Sequence, residues 1–191
     1  MTKLQRKRIL YSIIINLLPT SIKRTEFMRC HHVFGSMGEG CILQLRKIPL
    51  YPQLIHLHNN VFLAPSVKLV CHNGCHLLLN SIYASNNYKE QVGCIEIMDN
   101  VFIGSNSIVL GNVRIGKNVI VGAGSVVNKD LPGDAVYAGI PARRICSIEE
   151  YAAKHGKYSE EFKRLYGDVD VKNMSDDFAK NLYEDFKRVR E

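Results

Sequence analysis

One stretch of the chain, IEIMDNVFIGSNSIVLGNVRIGKNVIVGAGSVVNKD, returns to the same chemistry every sixth residue. Steps of six from Ile97 land on Ile103, Val109, Ile115, Val121 and Val127, all aliphatic. With aliphatics at about a quarter of an ordinary chain, such a run has chance odds on the order of 10⁻⁴. Two places ahead of these aliphatics stand Val101, Ser107, Val113, Val119 and Ser125, all small or β-branched. One place earlier come Asn100, Asn106, Asn112, Asn118 and Gly124, residue types that tolerate a left-handed backbone and so mark corners.

A two-periodic sheet would not return to the same corner chemistry every sixth residue, and an amphipathic helix would drift out of frame. The pattern is that of a parallel β-helix, whose stacked coils bury a continuous aliphatic stripe. The ladder also runs upstream through Leu57, Leu63 and Leu69, with Asn60 and Ser66 as corners, Val61 and Val67 beside them, and His72 as the next corner. The two ladders are out of phase by four residues. Allowing one more six-residue rung, roughly 22 residues, about 73–94, must leave the coil as a long loop, a length that favours function. His72 therefore stands where the coil gives way.

Outside the ladder the periodicity is helical. The start, MTKLQRKRILYSIIINLLPTS, has the basic opening and short apolar run of a signal peptide but no small-residue cleavage site, and the run is too short to span a bilayer. It predicts an amphipathic helix ending before Pro19, which packs on its own protein or touches a membrane face. At the other end Ser147 and Glu150 form a capping box for a helix that Gly156 should stop. Ser175 caps a second helix whose Phe178, Leu182, Phe186 and Val189 share a face. The expected organisation is a helical segment over 1–39, the β-helix over 40–146 and a helical tail over 147–191. With 191 residues and no tryptophan, a single aliphatic-cored domain fits. The net charge of +7 suits anionic partners, although no nucleic-acid motif accompanies it. Six irregularly spaced cysteines argue for a reducing cytoplasm rather than a disulfide framework.

The segment VKLVCHNGCHLLLN crowds Cys71, His72, Cys75 and His76 together. It is one residue too long for the C-x-x-C-H haem motif. Zinc is chemically reasonable for these donors. On a β-helix, however, the side chains of Cys71 and His72 diverge, and Cys75 falls in the inward aliphatic column.

Three stretches, LHNNVFLAPSVKLVCHN, the ladder continued to DLP, and VYAGIPARRI, resemble the hexapeptide-repeat acyltransferases, and more narrowly the sugar O-acetyltransferases of bacterial surface-polysaccharide synthesis. The resemblance covers residues 40–146. It implies a mainly β protein, a left-handed parallel β-helix assembled as a homotrimer with active sites between subunits, acting on a capsule, lipopolysaccharide or other surface glycan in the cytoplasm. Where the family has a Thr-His-Asp-like triplet, this chain has Cys71-His72-Asn73. His72 is then the general base on a sugar hydroxyl, with Asn73 as its neutral orienting partner. His76 and Asn60 are the acceptor contacts. The acyl donor implied is acetyl-CoA, lying along Gly104, Ser105, Gly122 and Ala123, beside Asn128 and Lys129, with Arg143 and Arg144 at its phosphates; no metal is required. The alternatives within the same fold are a zinc hydro-lyase resembling carbonic anhydrase, to which His56 and His58 lend interest, and an acetyltransferase for a drug or amino acid.

Overall fold

The computed structural model describes residues 2–188 and 190. These form two compact units, one reaching to Tyr151 and one from Ala152.

The first unit is a three-sided parallel coil. Its entry strands are β1 (Ser36–Met37) and β2 (Ile42–Leu43), and its first full turn is β3 (Ile55–Leu57), β4 (Val61–Leu63) and β5 (Lys68–Val70). After β6 (His72–Asn73) and β7 (Gln91–Val92) come β8 (Ile95–Ile97), β9 (Val101–Ile103) and β10 (Ile108–Leu110). The third turn is β11 (Val113–Ile115), β12 (Val119–Val121) and β13 (Val126–Val127), followed by β14 (Ala135–Ala138) and β15 (Arg143–Ser147). The faces stack as three sheets: a first face β1-β3-β8-β11, a second β2-β4-β9-β12-β14 closed by antiparallel β15, and a third β5-β10-β13.

The six-residue columns explain this geometry. Ile97, Ile103, Val109, Ile115, Val121 and Val127 are all completely buried, each contributing about 1.5–3 kcal/mol over an exposed aliphatic. Asn100, Asn106, Asn112, Asn118 and Gly124 all have φ between 56° and 70°, and Asn60 and Ser66 continue the set at 55° and 63°. On the edge between the first and second faces the corner amides interlock. Asn60 Nδ2 donates to Asn100 Oδ1 (3.0 Å), Asn100 Nδ2 to Asn118 Oδ1 (2.9 Å) and Asn118 Nδ2 to Asp134 Oδ1 (2.7 Å).

Eighteen residues separate Ile97 from its ladder partner Ile115, whereas 40 separate Leu57 from its partner Ile97. The excess of 22 leaves the coil after Cys71 and returns at Gly93, whose N–H donates to the Cys71 carbonyl (2.8 Å). The excursion begins and ends as the antiparallel pair β6–β7 and carries the short helix α3 (His76–Ile82). His72 is accordingly not a left-handed corner, as its column predicts, because it pairs with Val92 in extended conformation. Cys75 is exposed rather than inward, for the coil has already ended there.

Helix α1 (Lys3–Leu17) carries a Thr2/Gln5 capping box and ends before Pro19. It buries Ile15 and hydrogen-bonds residues 46 and 48 through Asn16, Arg8 and Ser12. Helix α2 (Ser21–Cys30) lies against β2, with the Thr25 hydroxyl accepting from Leu43 N–H (2.8 Å). Among the described residues no helix is long and apolar enough to cross a membrane. Ser147 and Glu150 do cap α4 (Ile148–Tyr166) reciprocally. Gly156 does not stop it. A mid-helix glycine costs only about 1 kcal/mol, and the helix runs on to Gly167, whose φ of 70° provides the terminating turn. In the second unit α5 (Asp176–Arg188) is capped by Ser175, and Phe178 packs with Phe162 and Tyr166. Val189 lies outside the described residues.

Candidate active site

Strand β5 delivers the chain to the edge between the third and first faces, and there the excursion opens. A cleft of about 410 Å3 is lined there by the paired segments His72–Asn73 and Gln91–Val92 and by the corner Leu110–Asn112 of the next coil. Gly93 is required at the return, since a Cβ there would stand 2.5 Å from Asn112 Oδ1. The His72 imidazole is half-buried, and its Nδ1 is enclosed without a hydrogen-bond partner. Its ring meets Tyr51 edge-on, with centroids 5.8 Å apart. Tyr51 in turn donates from its hydroxyl to Glu90 Oε2 (2.8 Å), which pushes the phenol above its ordinary pKa. Tyr51 and Glu90 are absent from the sequence-based site, because no local spacing announces a contact across 39 residues.

Asn73 does not orient this imidazole. Neighbours on a strand point to opposite sides, and the Asn73 Oδ1 accepts from Cys75 N–H instead (2.9 Å). His76 opens α3, with its own Nδ1 buried and unpartnered, and is not part of the cleft lining. Asn60 belongs to the amide ladder on another edge, so within the chain it does not meet His72. Nor do the four Cys and His donors converge. Cys71 is completely buried, and burial, followed by the charge of Cys94, pushes its thiol to about 11. Such a group is a neutral thiol near pH 7, where metal ligation needs thiolate. Among the described residues no three His, Cys, Asp or Glu side chains are arranged to hold a metal. His56 and His58 are each engaged elsewhere, with Ser36 Oγ (3.1 Å) and Glu96 Oε1 (3.1 Å).

The second group of sequence-selected residues lies on a different edge, between the second and third faces. Gly104 is buried under the next coil, its N–H donating to the Val121 carbonyl (2.8 Å), and an added Cβ would lie 2.5 Å from Ala123 N. Its role is coil spacing. Ser105, Gly122 and Ala123 are at least partly open on this edge, beside Gly124, where an added Cβ meets nothing within 4 Å. Asn128 and Lys129 follow β13 and are exposed, as are Arg143 and Arg144 on β15. The Ala142 N–H donates to the Val126 carbonyl (2.8 Å), which brings the two segments together. Backbone polar groups topped by basic side chains suit a long phosphorylated chain. The width of the third face separates this edge from His72. From Ser105 to Gly111 is six residues, about 20 Å when extended.

Residues 95–129 match the bacterial transferase hexapeptide family (six repeats). Protein CapG of Staphylococcus aureus is 38% identical over 133 residues, 69% of this chain and 75% of that protein. A maltose O-acetyltransferase from Clostridium difficile 630 superposes with a TM-score of 0.54 at 27% identity, covering 75% of this chain and 87% of its own. A galactoside acetyltransferase solved in complex with coenzyme A gives 0.53 at 25% identity, covering 80% and 86%. Two other curated relatives are matched over only 44% and 39% of their own length, so the chain spans less than half of each.

Proposed function

The chain belongs to the bacterial transferase hexapeptide family, and from that premise we propose that it transfers an acetyl group from acetyl-CoA to a sugar hydroxyl, with His72 as general base. The observation that carries the reading is the half-buried His72 imidazole in the lining of an open cleft, which with Nδ1 enclosed leaves Nε2 as the nitrogen for a substrate. A group so placed can take a proton from an attacking hydroxyl. The hydroxyl oxygen bonds to the thioester carbonyl carbon, the C–S bond breaks, and the departing thiolate receives the proton from the imidazole. The donor's pantetheine arm runs along Ser105, Gly122 and Ala123, with Lys129, Arg143 and Arg144 toward its phosphates and Asn128 beside them. In this arrangement Tyr51 and Glu90 hold the imidazole plane, the position Asn73 leaves empty.

The sugar acceptor is supported by the likeness to the maltose and galactoside acetyltransferases. A surface glycan precursor assembled in the cytoplasm is the substrate class we favour. Because the base and the donor track occupy different edges of one chain, a complete site calls for a second copy, whose donor edge lies against the His72 cleft. This supports a homotrimer of left-handed coils, the winding expected of the hexapeptide-repeat acetyltransferases.

A thiol-release screen over nucleotide-linked and lipid-linked sugars, with mass analysis of the product, tests the reading. The expected result is acetyl-CoA cleavage that depends on a sugar acceptor and yields an ester. Acetylation of amines alone, or no acceptor-dependent release, would count against it.

A further inference from the structure

The positive charge of this chain is not spread evenly. Residues 1–89 hold 11 Lys and Arg against only Glu26 and Glu39, while the remaining 102 residues carry 14 basic and 16 acidic side chains. Part of this excess converges. Between α2 and the first turn of the coil lies a cleft of about 510 Å3 whose lining includes Arg24, Arg46, Lys47 and Lys68, the polar Gln44 and Ser66, and no carboxylate.

Arg24 is the telling member. Only 6% of it is exposed, one guanidinium nitrogen donates to the Leu18 carbonyl (2.9 Å), and its Nε is buried with no partner. Burial, and then the positive charge of Arg46, hold the guanidinium below its ordinary pKa. A buried cation facing other cations is costly unless an anion compensates it, and the lining supplies none. Guanidinium forks and ammonium groups together favour phosphoryl oxygens. Four cations match a diphosphate better than a single carboxylate.

The location adds the rest. Ser66 is the corner of the first turn on the same edge that carries Asn106 and Gly124 in the next two turns. The cleft is therefore at the foot of the edge along which the proposed donor track runs. Lys68 opens β5, four residues before His72, about 13 Å along an extended strand.

We propose that the Arg24–Arg46–Lys47–Lys68 cleft binds the diphosphate of a phosphorylated acceptor, so that the sugar it carries is presented toward the acetyl donor. The assignment of that diphosphate to the acceptor rests on the transferase reading above; the anion site itself does not.

Calorimetric titration of the full chain with inorganic pyrophosphate and with UDP, at constant ionic strength, separates the two. Both should bind the wild-type protein and the His72→Ala variant alike, and saturating coenzyme A should leave UDP binding in place. The double variant Arg46→Ala/Lys68→Ala, which alters exposed side chains only, should bind both about tenfold or more weakly while retaining coenzyme A affinity. Three results would overturn the proposal: no binding of pyrophosphate or UDP at millimolar concentration, undiminished binding in the double variant, or displacement by coenzyme A together with loss in Lys129→Glu. The last would give the diphosphate to the donor track. Binding that behaves as expected, with no acetyl transfer to any sugar, would instead leave the anion site standing and remove the transferase reading.

Discussion

Adjacent side chains at the head of the excursion have opposite fates. Cys71 ends the coil inside the core, where its thiol stays protonated, while His72, one residue on, is half-buried and lines the cleft, with its Nδ1 enclosed. Replacing His72 by Ala should lower turnover by about 10²–10⁴ and leave coenzyme A binding intact. Cys71→Ser should cost stability rather than rate, since it buries a hydroxyl in an apolar setting. Steady-state kinetics beside urea denaturation distinguishes the two, and a Cys71→Ser enzyme as impaired in turnover as His72→Ala would contradict the assignment. Gly104 makes the complementary case for packing. With backbone only 2.5 Å from any added Cβ, Gly104→Ala should destabilise by about 1–3 kcal/mol, read as a lower urea midpoint.

At the scale of elements, the corner ladder and the cross-strand rows do different work. The amides of Asn60, Asn100 and Asn118 use both their conformational tolerance and their hydrogen bonds to pin successive coils, and they are uncharged. Across the first face Glu96 accepts from Arg114 (2.6 Å) and lies 3.1 Å from His58 Nε2, and these hydrogen bonds, Arg114 first, hold its carboxyl below the ordinary value of 4.5. A depressed folded-state pKa means that this contribution is complete above about 4.5 and is lost as pH falls through the lowered value. Glu96→Gln should therefore lower stability at neutral pH and flatten the loss of stability toward acid, as measured by denaturation midpoints from pH 7 to pH 3. A Glu96→Gln protein that loses stability to acid as steeply as wild type would show the row to be inert. The His72 side of the molecule follows a different rule. The excursion is anchored by β6–β7 pairing and by Tyr51–Glu90, contacts between residues far apart in sequence, and Asn73 is drawn into a local turn with Cys75.

For the whole molecule, the consequence of a three-edged coil is that one chain carries the His72 imidazole on one edge and the proposed donor track on another. If adjacent copies complete each other's sites, two defective chains should complement. Co-expressed His72→Ala and Lys129→Glu/Arg143→Glu chains should form mixed assemblies with measurable turnover where each homogeneous variant has little, because some clefts then pair an intact histidine with an intact track. Light scattering should give about three times the 21.6 kDa chain mass. A fully active monomer, or mixed assemblies without recovery, would place the site within one chain. The period of six was enough to determine the coil, its inward aliphatics and its corners wherever the coil is regular, since each is a property of a residue and its sixth neighbour; it failed at His72 and Cys75, where the chain leaves the coil. The departure of about 22 residues was also legible, because a phase slip in a strict repeat can be counted. The direction of the Asn73 amide, the absence of Asn60 from the histidine cleft, the pairing of Tyr51 with Glu90 and the burial of Arg24 among cations were not. They depend on how distant segments meet in space, and only the tertiary structure decides which of the chemically suitable groups come within reach of one another.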